Sequence, residues 1–423
     1  MHESPNSHAG RNYDLCSSIT RHPTADFRMN IQNPKLLWQL NFEGAWPTAI
    51  TFLGSSRRIA AANQAGELFV WDLPESPPNW EAPKDSQRKA PDHPPTRKLE
   101  GHSNGITRLL ATADGQTLIS ASLDHSIQIW QPAAAATGTT TAILDIEQRK
   151  SKAKRERADE HLTAPGVSVE TITSSHKLVG HEDWILSMAC DRDVQRLISG
   201  DMAARVIVWD LTQHQEQQRW SGYPWNWIQA VALTADGHTA VVSEHRYKRD
   251  DFDIPSAALR LFDATNGQEK LDILKVMFPK YKPEDTSYGG GQIWRKFVAQ
   301  GLIAADISPN NELVALGQGG ETDTGKVQLV ELATGKLVRE VAGHQYGVTD
   351  VKFSADGKYV LSVGRDTTLR VCRVEDGKEV AALGSPRGGQ FKDWLSAIAI
   401  APDQSTVAAT DIAGQVHVWS LSD

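Results

Sequence analysis

The stretch from Gly101 to Trp130, GHSNGITRLLATADGQTLISASLDHSIQIW, decides the fold. It opens on a Gly-His pair and a short polar loop, then runs through an apolar segment to Ala113-Asp114-Gly115, residues of the types that hairpin turns need. Leu118-Ile119-Ser120-Ala121-Ser122 and Ile127-Gln128-Ile129-Trp130 are short, rich in β-branched residues and bounded by polar turns, so both read as strands. Gly180-His181 through Trp209 and Gly343-His344 through Cys372 repeat the pattern. Further turns at Ala235-Asp236-Gly237, Pro309-Asn310-Asn311, Ala355-Asp356-Gly357 and Ala401-Pro402-Asp403 bring weaker copies into register, starting near Trp46, Trp227, Gly301 and Trp394. Their third strands are Leu68-Phe69-Val70-Trp71, Leu259-Arg260-Leu261-Phe262, Val327-Gln328-Leu329-Val330 and Val416-His417-Val418-Trp419. Seven copies result. Where no insertion intervenes, as from Trp184 to Trp227, Gly301 to Gly347 and Gly347 to Trp394, the anchors stand 43, 46 and 47 residues apart. That period is the length of a four-stranded propeller blade.

The Gly-His pairs, together with Trp71-Asp72 and Trp209-Asp210, resemble the WD-repeat family of β-propellers, over residues 35–423. The resemblance implies an all-β, seven-bladed ring of four-stranded antiparallel blades, numbered from the innermost strand, the fourth running into the next Gly-His. The last copy stops at Trp419-Ser420-Leu421 after three strands, and Lys35-Leu36-Leu37-Trp38-Gln39-Leu40 precedes the first without a partner. This N-terminal strand is therefore expected to complete the last blade and remove the open edge.

In that family a Trp, Ser, His and Asp of one blade form a buried hydrogen-bonded chain, and the second copy matches it with Trp130, Ser120, His102 and Asp124. A buried indole N–H and an imidazole both need partners, so a complete set stiffens the blade. A Ser/His/Asp set also suggests hydrolysis, but this one recurs. The sixth copy has His344, Ser362 and Asp366 with Cys372 at the Trp position; the third has His181, Ser199 and Trp209, with Ala203 standing where the Asp is expected. A catalytic triad occurs once, whereas a structural motif repeats with decay. Gly320-Glu321-Thr322-Asp323-Thr324-Gly325-Lys326-Val327 has the spacing of a phosphate loop, but Val327 replaces the metal-binding hydroxyl and strands flank it, so it reads as a hairpin. Asp250, Asp251 and Asp253 read as a solvated acidic loop. No cofactor, metal or catalytic residue is expected.

Of 423 residues, 40% are hydrophobic and 23% charged, the balance of a globular protein. A formal net charge of -8 gives no reason to expect nucleic acid or an anionic membrane as partner. Cys16, Cys190 and Cys372 follow no metal or redox spacing, which fits a reducing compartment, and a cytoplasmic location is expected. Residues 1–34 carry no leader-like apolar run and read as a disordered tail, with Met1 and Met29 both candidate starts.

Four insertions break the repeat, at 73–97, 133–174, 244–257 and 275–300. The first holds seven prolines and the second an alanine run with a charged stretch; both read as linkers on the bottom face. The other two belong to the fourth copy and should emerge on the top. The latter carries Tyr281 and Trp294 and lies beside Tyr223-Pro224-Trp225-Asn226-Trp227 in the ring. The residue before each innermost strand reads Trp46, Gly105, Trp184, Trp227, Gly301, Gly347 and Trp394, a position that in this family lies on the top rim. Tryptophans there suit anchoring of a peptide. The expected function is a non-catalytic scaffold, a monomeric propeller within a larger complex. It would hold a protein or peptide on Trp46, Trp184, Tyr223, Trp225, Trp227, Tyr281, Trp294 and Trp394. A small-ligand or glycan binder using the same aromatic sector is the alternative. An enzyme built on His245, Arg246, Lys248 and Asp251 comes third.

Overall fold

The computed structural model describes residues 28–42, 46–82, 84, 88–142, 167–245, 257–279, 302–319, 325–384 and 394–422. Seven sheets, antiparallel but for one strand pair in the first, follow one another, each beginning with an innermost strand: Pro47–Phe52, Ile106–Ala111, Ile185–Cys190, Trp227–Leu233, Leu302–Ile307, Val348–Phe353 and Leu395–Ile400. These inner strands neighbour one another in order, and the seventh lies against the first, so the ring is closed. The third strands carry the large side chains that fill the space between blades, and Trp71, Trp130, Trp209 and Trp419 are all buried.

Closure follows the expected route. Lys35–Asn41 pairs antiparallel with Gln415–Ser420 and supplies the outer strand of blade seven. The contact begins earlier than residue 35: Met29 is buried against blades six and seven, and the Gln32 N–H donates to the Leu421 carbonyl at 2.8 Å. Met29 and Gln32, expected within the tail over 1–34, are thus seated on the ring, and residues 1–27 lie outside the described residues.

Parts of the first two insertions, expected as linkers, are built into the ring, while residues 83, 85–87 and 143–166 lie outside the described residues. Residues 88–93 clasp the closing strand: the Gln39 N–H donates to Pro91 O at 2.9 Å, and Asn41 donates from its backbone and side chain to Asp92 at 2.9 and 2.8 Å. The Trp71 indole, with Ala61 where blade two has Ser120, donates to His93 O at 3.1 Å. Proline suits such a clasp, being extended and needing no donor of its own. In the second insertion, Gly138–Ala142 and Val167–Thr173 form a strand pair whose second member lies parallel to Arg97–Glu100. Blade one therefore has six strands.

Every innermost strand slips register near its start, after its first residue in six blades and after its second, Ile228, in blade four, a β-bulge repeated seven times. In four blades the bulged residue is a hydroxyl that reaches the next blade: Thr107 donates to Ile185 O at 2.8 Å, Thr349 to Leu395 O at 2.5 Å, Ser396 to Pro47 O at 2.7 Å, and Thr48 to Ile106 O. Blades three, four and five have Leu186, Gln229 and Ile303 there instead. The stitch moves elsewhere: Val231 N donates to Ser187 Oγ at 3.0 Å, and Ser243 Oγ to Leu302 O at 2.8 Å.

Candidate functional site

The recurring Ser/His/Asp sets are buried and structural. In blade two, His102 Nδ1 meets Asp124 at 2.8 Å and Nε2 meets Ser120 Oγ at 2.7 Å, while the Trp130 indole donates to the same oxygen at 2.8 Å. Burial raises the Asp124 carboxyl, but hydrogen bonds from His102 and Ser126 outweigh it and hold the group well below the ordinary carboxylate range. Blade six repeats the chain through His344, Asp366 and Ser362 at 2.9 and 2.7 Å and ends on the buried Cys372. In blade two the serine oxygen is already held by an indole, and the side chains of His102 and Asp124 are closed to solvent.

Blade three corrects the sequence reading. His181 meets Ser199 at 2.6 Å, and its other nitrogen meets Asp201 at 2.7 Å, so the acid absent at Ala203 is supplied two residues earlier. Asp201 Oδ1 also accepts the N–H groups of Ala203 and Arg205, both at 2.9 Å, closing the tight turn. A signal for this was present. Asp201 sits opposite the residue just before the bulge of its inner strand, where other copies have Asn63, Ser122, Glu244 and Asp411, all hydrogen-bonding types.

Blade four uses that position differently. Its register places Val242 where blade two has Ser120, Arg260 for Gln128 and Phe262 for Trp130. Arg260 Nε donates to Glu244 at 3.0 Å, a second guanidinium nitrogen reaches the same carboxylate, and Nη1 meets Glu269 at 2.9 Å. Burial opposes the arginine's charge, but Glu244 outweighs it and strengthens its hold on the proton. The guanidinium lies 4.3 Å from the Tyr223 ring centre and 5.0 Å from that of Phe262. Glu244 in turn accepts the Tyr223 N–H at 2.7 Å, and a Cβ at Gly222 would stand 2.5 Å from its oxygen. A side chain at Gly222 would therefore press on the Glu244 carboxylate.

The brace holds a turn. Asn226 N–H donates to Tyr223 O at 3.1 Å across Pro224 and Trp225, and Trp225 has φ +70°. Glycine or asparagine normally takes a positive φ at the third place of such a turn. A tryptophan there costs about 1–2 kcal/mol, yet its side chain is 74% exposed and gains nothing from the core. On the rim, Trp46 and Trp184 are exposed as well, at 57% and 43%. Trp227 is half-buried and forms the first residue of its strand; Trp394 is half-buried under the Arg365 guanidinium, 4.4 Å from its ring centre. Tyr223 is half-buried on Arg260. Tyr281 and Trp294 lie outside the described residues. The rim reading missed Val179, which is 71% exposed just before Gly180-His181.

The central channel encloses about 220 Å³ between the inner strands, with Arg108, Cys190, Asp306, Asp350 and Lys352 on its wall. Its carboxylates join blades: Asp350 accepts from Ile398 N at 3.1 Å and Asp306 from Phe353 N at 2.7 Å. Burial pushes the Cys190 thiol up to about 12, so no thiolate is available at neutral pH. The imidazole of His245 is buried and pushed down to about 4 by that burial. Arg246, Lys248, Asp251 and the acidic loop at Asp250 and Asp253 lie outside the described residues, as do 320–324 of the phosphate-loop look-alike. The remainder of that look-alike, from Gly325 on, is a strand.

Blades of this order and closure by an N-terminal strand define a class: the chain is a seven-bladed β-propeller, and its second, third and sixth blades are similar to WD repeats. The family model "WD domain, G-beta repeat" matches residues 93–131, 172–210 and 335–372. Among curated relatives, Autophagy-related protein 16 of Arabidopsis thaliana is 41% identical over 100 residues, which is 23% of this chain and 19% of that protein. WD repeat and SOCS box-containing protein 1 of Homo sapiens is 32% identical over 101 residues, 23% of each chain. Target of rapamycin complex subunit LST8 of Saccharomyces cerevisiae is 28% identical over 82 residues, 19% of this chain and 23% of that protein. The similarity thus spans about a fifth of each relative's length.

Proposed function

We propose that this propeller is a cytoplasmic, non-catalytic scaffold that holds a protein or peptide partner on its top rim, centred on blade four. The observation that carries the reading is Trp225. A large aromatic side chain is kept in solvent at a strained backbone position, and a buried ion pair secures the turn that displays it. Strain retained without a packing return is the mark of a site under functional demand. Exposed Trp184 on the preceding blade and Trp46 extend the set of rigid anchors that interfaces favour. Cys190 and Cys372 are free thiols, in keeping with a reducing compartment. One relative is by name a subunit of a complex, which supports a protein partner.

The test is affinity purification of the wild-type chain beside a Trp184→Ala/Trp225→Gly variant, with quantitative mass spectrometry. Trp227 is left intact because it begins the innermost strand of its blade. Proteins depleted from the variant by tenfold or more identify the partner and the site together. Equal recovery from both chains removes the top rim from consideration.

A further inference from the structure

We propose that Gly138–Ala142 is a dimerisation edge, pairing antiparallel with the same strand of a second copy of the chain. The inference is independent of the top-rim reading. It begins from the six-stranded sheet of blade one, whose order ends on this strand; among the described residues nothing pairs with its outer side.

The graft that carries the strand is firmly built. Arg97 donates to Pro132 O and Ala134 O at 2.7 and 2.9 Å and pairs with Glu170 at 3.1 Å. Thr137 donates to Thr171 O from its backbone at 2.7 Å and its hydroxyl at 3.0 Å. Val169 and Ile172 are buried in the blade cores. This is an integral part of the ring.

Its edge differs from every other outer edge. Strands that end a sheet ordinarily carry charge or cover, because open N–H and C=O groups invite pairing. Lys177 guards the outer strand of blade two, Glu216 and Arg219 that of blade three, Glu269 and Lys270 that of blade four, Arg339 and Glu340 that of blade five, and Glu379 that of blade six. Blade seven's closing strand is clasped by residues 88–93. The sequence Gly-Thr-Thr-Thr-Ala has no charge, proline or bulge, and Thr139 and Thr141 are exposed.

A second copy fits this edge through symmetry. Antiparallel pairing about Thr140 sets Thr139 opposite Thr141 of the other copy, twice, and threonine pairs are favourable cross-strand neighbours. A charged residue in the strand would face charge across the axis; none is present. The two added strands also stand about 10 Å beyond an ordinary blade, which keeps the two rings from colliding. Five residues bury far less than the roughly 1,200 Å² of a stable interface, so the dimer is weak and the dilute state is the monomer expected from sequence.

Sedimentation velocity on the full chain across a concentration series tests this, with two variants that alter the edge equally in size. Thr139→Lys/Thr141→Lys places lysine opposite lysine in the symmetric dimer; Thr139→Lys/Thr141→Glu places lysine opposite glutamate. The wild type should rise toward twice the single-chain mass, the lysine pair should raise the dissociation constant about tenfold or more, and the mixed pair should restore it. Melting curves of all three should coincide, since the changed residues face solvent. A single-chain mass at every concentration, a dimer indifferent to both variants, or a mixed pair as weak as the double lysine each overturns the proposal.

Discussion

Blades two and four occupy the same register with opposite chemistry. Blade two joins strands with neutral groups and one carboxylate: Trp130, Ser120, His102 and Asp124 form a chain in which each member satisfies the next. Blade four joins them with a buried arginine and two carboxylates, and spends part of that bond on the turn above it. The first arrangement serves only its own blade. The second couples the interior to an exposed loop, and under the proposed function that coupling separates a sector kept for stability from one kept for recognition.

The largest effect should come from breaking the ion pair on one side. Glu244→Ala leaves Arg260 charged and buried, and denaturant unfolding should show a loss of about 3–5 kcal/mol. Joint replacement, Glu244→Leu with Arg260→Met, should recover most of it. If the double variant is no more stable than the single, the pair is not the brace described.

Blade two should give the next largest loss. Ser120→Ala strands the Trp130 indole and the His102 ring together, costing about 2–4 kcal/mol by the same measurement. Asp201→Ala in blade three should fall by about 2 kcal/mol, and adding Ala203→Asp should return part of that, since blades two and six place their acid there.

Acid separates the two blades further. The Asp124 and Asp366 carboxyls are depressed in the folded state, so their contribution is complete above the ordinary aspartate range near pH 4 and is lost only as pH falls below it. His245 in blade four acts in a higher pH window. With its folded value at about 4 against an ordinary value near 6.5, its contribution is full above pH 6.5 and drains away as pH falls toward 4. Between pH 7 and 4.5 the wild type should therefore lose about 2 kcal/mol more than His245→Gln in paired denaturant titrations. A parallel loss in both would show that the imidazole is not kept neutral.

The smallest stability change belongs to Trp225→Gly. Relief of the positive φ and the added freedom of the unfolded chain offset one another, so thermal melting should stay within about 1 kcal/mol of wild type. A large loss would mean that the side chain packs.

What the sequence could express was local. Turns such as Ala113-Asp114-Gly115 announce themselves because Asp114 bonds Thr112 and Gln116, two residues to either side. The network of blades two and six was legible for a similar reason: its members stand at fixed offsets within one copy. Asp201 escaped because the same bond can be made from two positions along a turn, and a fixed offset finds only one. The Glu244–Arg260 pair escaped because its members are of types that usually sit in solvent; only the pairing of their strands shows that they meet. The added strands of blade one were hidden most completely. Val167–Thr173 finds its partner in Arg97–Glu100, in another blade and in parallel, and no local pattern encodes that choice. Rim tryptophans were visible as residues, but exposure of Trp225 and packing of Trp394 under Arg365 are decided by neighbours from other segments.

The division between the two sectors is tested most directly by measuring melting temperature and partner capture together on Trp225→Gly and Ser120→Ala. The expected result is a crossover: Trp225→Gly melts with the wild type and loses its partners, while Ser120→Ala melts lower and, at a temperature where it is folded, keeps them. Loss of both properties in Trp225→Gly, or capture by it at the wild-type level, would contradict the assignment of recognition to blade four.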